Sequence, residues 1–533
     1  MEASSTTATR NAGLILGARR RGRARRHRRG GAPRGLVLAA LVSAALSILP
    51  VVFLVLEVRG IGLDDVQRLL LRAHVGGLLA NTLGLIVAAS ALSVAIGVAA
   101  AWCLERTDVP GRRAWLVVLV LPLAVPEFVS SFGWVSFFPS MQGFWGALFV
   151  TVLAYFPFVL LPAMAVLRGI DPALEDTARG LGLGPWATFW RVTVPLLRLP
   201  VLGGALIIAL HLLAEYGAFA QLRFPTFATE IYAEYEIGFN AASAALLSLV
   251  LVALSLVFLF AEMFARGRAR YARVGSGAQR AHVPVHLGRR TPLALAGLGT
   301  LSALSLGVPL AALVYWSVQG NSSTLPSASV VGATATTLAL ALGAALVTVA
   351  LALPVALLAG RYRGAAGALV ERSTYVARAL PGVVIGLALV AFSIRSAGWL
   401  YQTTTLLIVG YAILFLPLAL ICLRGPIAQV APSIEDVARS LGLGSLRAFA
   451  RTTLPLLRGG LGAAAGLVFL STVTELTGTL LLRPTGTETL ATRFWTYTES
   501  LAYGAAAPFA AVMVAISAVP AYLLIRRLNP LGT

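Results

Sequence analysis

Two stretches of this chain carry the same spaced set of acidic, small and glycine residues: Glu175, Asp176, Ala178, Gly182 and Gly184, and 260 positions later Glu435, Asp436, Ala438, Gly442 and Gly444. Across 175–198 and 435–458, fifteen of 24 aligned residues are identical. A Gly-x-Gly pair could cradle a phosphate, but a phosphate loop follows a strand, opens a helix and supplies a Lys. Here the glycines close a helical pattern, and the chain has no Lys: all 42 of its basic residues are Arg. Phosphate-loop ATPases and lysine Schiff-base enzymes are thereby excluded. The spacing predicts a helical hairpin instead. Asp171-Pro172 suits a helix start. Glu175 and Arg179, like Glu435 and Arg439, stand four apart in the acid-first order worth about 0.3–0.5 kcal/mol. Gly182 and Gly442 then allow the turn, and an amphipathic stretch (Trp186, Phe189, Trp190, Val194) follows. Such a hairpin could lie on its own bundle at a membrane surface; as a docking element it explains why two near-identical copies occur, one for each lobe of a two-lobed partner.

A second candidate set is Glu127, Glu215, Glu475 and His211, which interrupt long apolar runs. An Asp at a helix centre costs about 2.5–3.5 kcal/mol on insertion scales, so each such charge is a functional hypothesis. Glu215 and Glu475 occupy equivalent repeat positions, about 22 Å along their helices at 1.5 Å per residue. Facing inward, they would offer paired oxygen ligands to a hard cation; facing outward, they would pair with Arg223 or Arg483. Glu127 follows Pro126, which should kink its span, and broken helices are tolerated where they line a cavity. His211 reads as a hydrogen-bonded bundle histidine, and no metal site, catalytic residue or cofactor is expected.

The elements that carry these residues follow from composition. The 533 residues are 58% hydrophobic and 12% charged, with a mean hydropathy of +0.85, against roughly 25% charged in a soluble domain. Runs of about 20 apolar residues, enough for a 30 Å hydrocarbon core, recur twelve times: 36–58, 79–103, 114–137, 144–167, 200–222, 241–264, 292–316, 333–359, 374–394, 400–423, 461–482 and 507–525. None alternates as a barrel strand would. With both ends cytoplasmic, most of the 42 arginines fall on the cytoplasmic side, as the positive-inside rule requires. The tail at 19–29 (RRRGRARRHRR) then reads as a topology-fixing flank that touches anionic lipid rather than as a nucleic-acid arm. Cys103 and Cys422 form no framework.

The self-match extends upstream at an offset of 255, pairing Pro126 with Pro381. The chain is therefore a tandem duplication, expected as a tail (1–33), a six-span repeat (34–265), a basic linker (266–290) and a second six-span repeat (291–533). An even number of spans per half makes the repeats parallel, with a pathway between them.

At the hairpins the chain resembles the permease subunits of ATP-binding-cassette importers, whose EAA loop sets a Gly some seven residues after a Glu-Ala-Ala start. Thr177 and Val437 stand where that motif has Ala. The resemblance covers essentially all twelve spans and is nearest the fused iron(III) permeases. It runs through ERTDVPGRR (105–113), LPLAVPEFV (121–129), AEYGAFAQLRFPTFATEIY (214–232), ALPGVVIGLALVAF (379–392) and TELTGTLLLRPTGTETLATRFW (474–495). Thr474 and Thr477 replace the Lys and Pro common in the iron group, and permeases for thiamine, polyamines, sulfate or aminophosphonates share the architecture. The resemblance implies an all-α, MetI-like bundle in the inner membrane with two cytoplasmic ATPase subunits docked on the hairpins and an external solute-binding protein delivering cargo. A gradient-driven carrier with two parallel six-helix halves is the rival, supported by the Asp-x-x-Gly-Arg-Arg pattern within 105–113.

Overall fold

A computed structural model of the chain describes residues 32–59, 62–267, 284–319, 328–362, 364–431 and 433–528. The arginine-rich tail and most of the linker lie outside these residues. The described residues are helical throughout apart from turns and one isolated bridge between Thr107 and Val285.

All twelve apolar runs are mainly helical. Nine are single long apolar helices: Arg34–Val58, Ala73–Arg106, Gly143–Gly169, Pro185–Ala214, Ala241–Phe264, Gly288–Gln319, Ala328–Arg361, Thr404–Gln429 and Ser445–Val473. They are spans 1, 2, 4, 5, 6, 7, 8, 10 and 11. Spans 3 and 9 are bent pairs, Arg112–Ala124 with Glu127–Phe137 and Gly367–Ala379 with Gly382–Ser396, folded by 93° and 108°. Span 12 is Tyr503–Leu528. The bends sit at Pro126 and Pro381. Proline offers no N–H to the helix ladder and pushes the residue before it into extended geometry; Val125 and Leu380 have ψ of 118° and 112°.

Spans 2 and 8 are each 34 residues long, about 51 Å at 1.5 Å per residue. They are longer than a hydrocarbon core is thick, and their last residues, Arg106 and Arg361, lie at the hairpins.

The two halves exchange their leading helices. Span 1 packs on span 8 and on both limbs of span 9. Phe53 meets Phe392 edge-on with ring centres 5.0 Å apart, and Glu57 pairs with Arg395 at 2.8 Å. Span 7 in turn packs on the second limb of span 3 and on span 12. A Cβ on Gly133 would sit 2.7 Å from the Cα of Pro309, so only glycine admits this approach. Between the halves lies a shared apolar core in which Phe128 and Phe132 pack on Phe494, and Tyr216 on Trp495.

Candidate functional site

Each hairpin opens with a short helix, Pro172–Gly180 or Ser433–Ser440. Asp171 caps the first by accepting the Ala173 N–H at 3.0 Å, with Pro172 at the first helical position. Both helices end in the same way. Gly182 and Gly442 take φ of +86° and +88°, the left-handed geometry that glycine adopts without steric cost. Leu183 N–H reaches back to Ala178 O at 3.1 Å and Leu443 N–H to Ala438 O at 3.2 Å, a Schellman closure in each copy.

The chain then makes Pro185–Thr188 or Ser445–Ala448, followed by one π-helical turn, Phe189–Thr193 or Phe449–Thr453. The wider turn recurs at the same repeat position. It aims Thr193 at Glu175, where its hydroxyl donates at 3.1 Å, and Thr453 at Glu435. Arg106 pairs with Glu175 at 3.2 Å, both almost wholly buried, and Arg361 with Glu435 at 2.5 Å. The arginine at the end of span 2 or 8, the motif glutamate and the threonine at the base of span 5 or 11 thus form one buried clamp, present twice. For Glu435 burial works against the charged form, but the Arg361 and Thr453 hydrogen bonds and the charges of Arg361 and Arg439 outweigh it and hold the carboxyl below its ordinary value.

The motif therefore has two faces. Glu175, Ala178 and Ala438 are buried, and Glu435 is largely so. Asp176, Gly182, Gly184, Asp436, Gly442 and Gly444 are at the surface or partly so, beside strongly exposed Leu181, Trp186, Leu441 and Leu446. The acid-first pairing is realised in the first copy only, where Arg179 lies 3.9 Å from Glu175. In the second, Arg439 turns to Asp436 at 2.5 Å, while Arg361 holds Glu435.

Spacing did not single out Arg106, Arg361, Thr193 or Thr453. The offsets of 255 and 260 do pair them, so the repeat alignment held the signal. The loop at 105–113 is a tie: Glu105 holds Arg112 at 2.7 Å and Arg168 at 2.6 Å, and Asp108 accepts the Leu287 N–H at 2.9 Å.

The glutamates of spans 5 and 11 do not continue a helix, contrary to the expectation of unbroken spans over 200–222 and 461–482. Span 5 stops at Ala214 and span 11 at Val473. Glu215 and Glu475 sit in the breaks and turn their carboxylates onto short helices that follow, Gly217–Gln221 and Thr477–Leu482, accepting Ala218 N–H and Gly478 N–H at 2.8 Å each. Neither pairs with Arg223 or Arg483. A carboxylate capping a helix start meets its positive dipole end.

Glu127 begins the second limb of span 3 and is buried, accepting the Thr151 hydroxyl at 2.9 Å. Its repeat mate is Gly382, and the space a side chain would fill there is taken by Glu475, whose Oε1 lies 2.8 Å from an ideal Cβ position. Glu127 interacts electrostatically with Glu215, and Glu215 with Glu475. The three carboxylates form a series that crosses from one half to the other. They are not a cage: among the described residues no three His, Cys, Asp or Glu gather closely enough to hold a metal ion. His211 is outside this series, its Nδ1 bonded to Ile207 O at 2.9 Å and its ring against Tyr155 and Phe158.

Residues 93–270 and 352–531 each match the family described as binding-protein-dependent transport system inner membrane component. The chain belongs to that family. Its two copies in one polypeptide make it a fused ABC importer permease, a multi-pass inner-membrane protein, and membership implies a solute-binding protein and an ATPase as partners. Over 496 residues, 92% of this permease and 98% of the relative, it is 36% identical to the Fe(3+)-transport system permease protein FbpB 2 of Haemophilus influenzae. A sulfate transport system permease protein CysW of Synechocystis is 31% identical over 185 residues, 30% of this chain and 67% of that one. A probable molybdenum ABC transporter permease protein of Haloferax volcanii is 29% identical over 210 residues, 37% and 76% of the two chains.

Proposed function

We propose that this permease moves iron(III) inward, powered by ATP hydrolysis in two copies of a separate cytoplasmic ATPase subunit. The similarity to the Fe(3+) permease, which runs nearly end to end in both chains, carries the reading. The series Glu127, Glu215, Glu475 supports it chemically. Hard, highly charged cations prefer oxygen ligands. Spacing them along a path suits transit, since a conducted ion must be held well enough to enter and weakly enough to leave.

In this reading the hairpins and both termini are cytoplasmic, and residues 34–265 and 291–533 are the two permease repeats. Asp176, Gly182, Gly184 and the exposed Leu181 and Trp186 meet one ATPase copy; Asp436, Gly442, Gly444, Leu441 and Leu446 meet the other. Glu175, Ala178, Glu435 and Ala438 act from behind, fixing each hairpin to spans 2 and 5 or 8 and 11 so that a push is transmitted. The permease itself is not the ATPase, binds no nucleic acid, and needs no cofactor of its own.

Proteoliposomes holding the permease, its ATPase and its binding protein provide the test. Radiolabelled iron(III) should accumulate only with ATP, and labelled sulfate should not. Uptake of sulfate, or iron uptake driven by an ion gradient without the ATPase, would overturn the proposal.

A further inference from the structure

The two halves differ clearly at one helix contact. In one half, span 1 lies flat on span 8: Ala40 and Ala44 pack with Ala345 and Ala352, and Ser43 Oγ donates to Leu351 O at 2.8 Å. Small residues of this kind let membrane helices approach closely. The equivalent pair in the other half, span 7 and span 2, does not pack along its length. Span 7 carries a π-helical turn at Ala303–Gly307 and stands off, leaving a cleft of about 1320 Å³ against spans 2, 3 and 4.

The cleft walls are apolar, among them Ile96, Cys103, Trp134, Phe149, Leu293 and Leu301. On span 2 it extends from Leu92 to Cys103 and on span 7 from Leu293 to Leu304, in each case about 16 Å of helix. That is about half of a 30 Å hydrocarbon core, the depth of one leaflet. One end is strongly basic. Arg289 and Arg290 are exposed, lie in the 3-10 turn Gly288–Arg290 that opens span 7, and stand within about a turn of Leu293 and Ala294. Asp108, the acidic group nearby, is occupied by His286 and by the Leu287 N–H.

The geometry points to a bound anionic phospholipid, with acyl chain in the cleft between spans 2 and 7 and phosphate at Arg289, Arg290 and the start of span 7. An arginine pair favours a phosphate, and basic pockets between membrane helices suit anionic head groups. The lipid would replace the direct helix contact that the other half makes through Ser43. This inference does not rest on the cargo.

The test is native mass spectrometry of the full chain, purified in mild detergent from cells containing phosphatidylethanolamine, phosphatidylglycerol and cardiolipin. One phospholipid per chain should survive detergent exchange, with phosphatidylglycerol or cardiolipin enriched at least fivefold over its membrane share. Gly297 lines the cleft and a Cβ there meets nothing within 4 Å, so Gly297→Trp directs an indole from an open position into the cleft and should cut occupancy at least tenfold. Arg289→Ala with Arg290→Ala should keep the permease folded and abolish the anionic preference. Loss of all lipid from the wild type, equal retention in Gly297→Trp, a retained lipid without charge preference, or a polypeptide in the cleft instead would overturn the inference.

Discussion

At the residue scale, the clamp of Arg106, Glu175 and Thr193 makes the sharpest demand on the sequence. Removing one member of a buried ion pair strands the other charge and costs about 3–5 kcal/mol, while removing both is close to neutral. Arg106→Leu should therefore lower the melting temperature of the purified permease and open the first hairpin to proteolysis, and adding Glu175→Leu should restore most of both. The second clamp carries a pH signature. The Glu435 carboxyl is held below its ordinary 4.5 by Arg361 and Thr453 against the opposing effect of burial. A depressed folded value contributes stability that is fully present above the unfolded value and is lost as pH falls through the folded one. The stability difference between the wild type and Glu435→Gln, read from thermal melts, should thus be level from pH 8 to about 5 and shrink below. Which of two adjacent acids would be buried was not legible in the motif: Glu175 and Asp176 read alike until the π turn fixes which one meets Thr193.

At the scale of elements, both glycine turns and both glutamate breaks are testable without unfolding the bundle. Gly182 and Gly442 have open space around a would-be Cβ, so a substitution there costs only the left-handed backbone, about 1–2 kcal/mol each. Gly182→Val with Gly442→Val should insert and purify normally yet lose ATP-driven uptake; uptake at the wild-type rate would remove the hairpins from the coupling role. Glu215→Gln and Glu475→Gln keep an oxygen that can accept the Ala218 and Gly478 N–H groups, so the short helices should persist. Iron uptake should fall at least tenfold while monodispersity in detergent stays unchanged. The apolar lengths made the nine long helices and the two bent pairs legible, and Pro126 made the bend of span 3 legible, with its repeat mate Pro381 at the bend of span 9. The breaks at Glu215 and Glu475 were not, because hydropathy runs on through Ala218–Phe219 and Leu480–Leu482 and registers composition rather than hydrogen bonding. The π turns were equally hidden, since a π turn has the same residue preferences as the helix around it.

For the whole molecule, the exchange of leading helices could not be read from the duplication, which shows that two halves exist but not that each finishes the other. Span 1 belongs to the first repeat by sequence but packs mostly on the second, on spans 8 and 9, while keeping a contact with span 6. Expressed as separate polypeptides 1–275 and 276–533, the halves should co-purify when made together, and each alone should aggregate or be degraded. Independent stability of either half, seen by size exclusion and thermal melting, would contradict the packing through Phe53, Phe392, Glu57 and Arg395.

The same crossing has a mechanical side. A helix strapped over the opposite lobe works like the crossed arms of a pair of tongs: tilting one lobe drags its strap and swings the other. On the proposed coupling role of the hairpins, a stroke delivered to one of them would be resisted by the idle lobe, and the engine would have to squeeze both handles in the same beat.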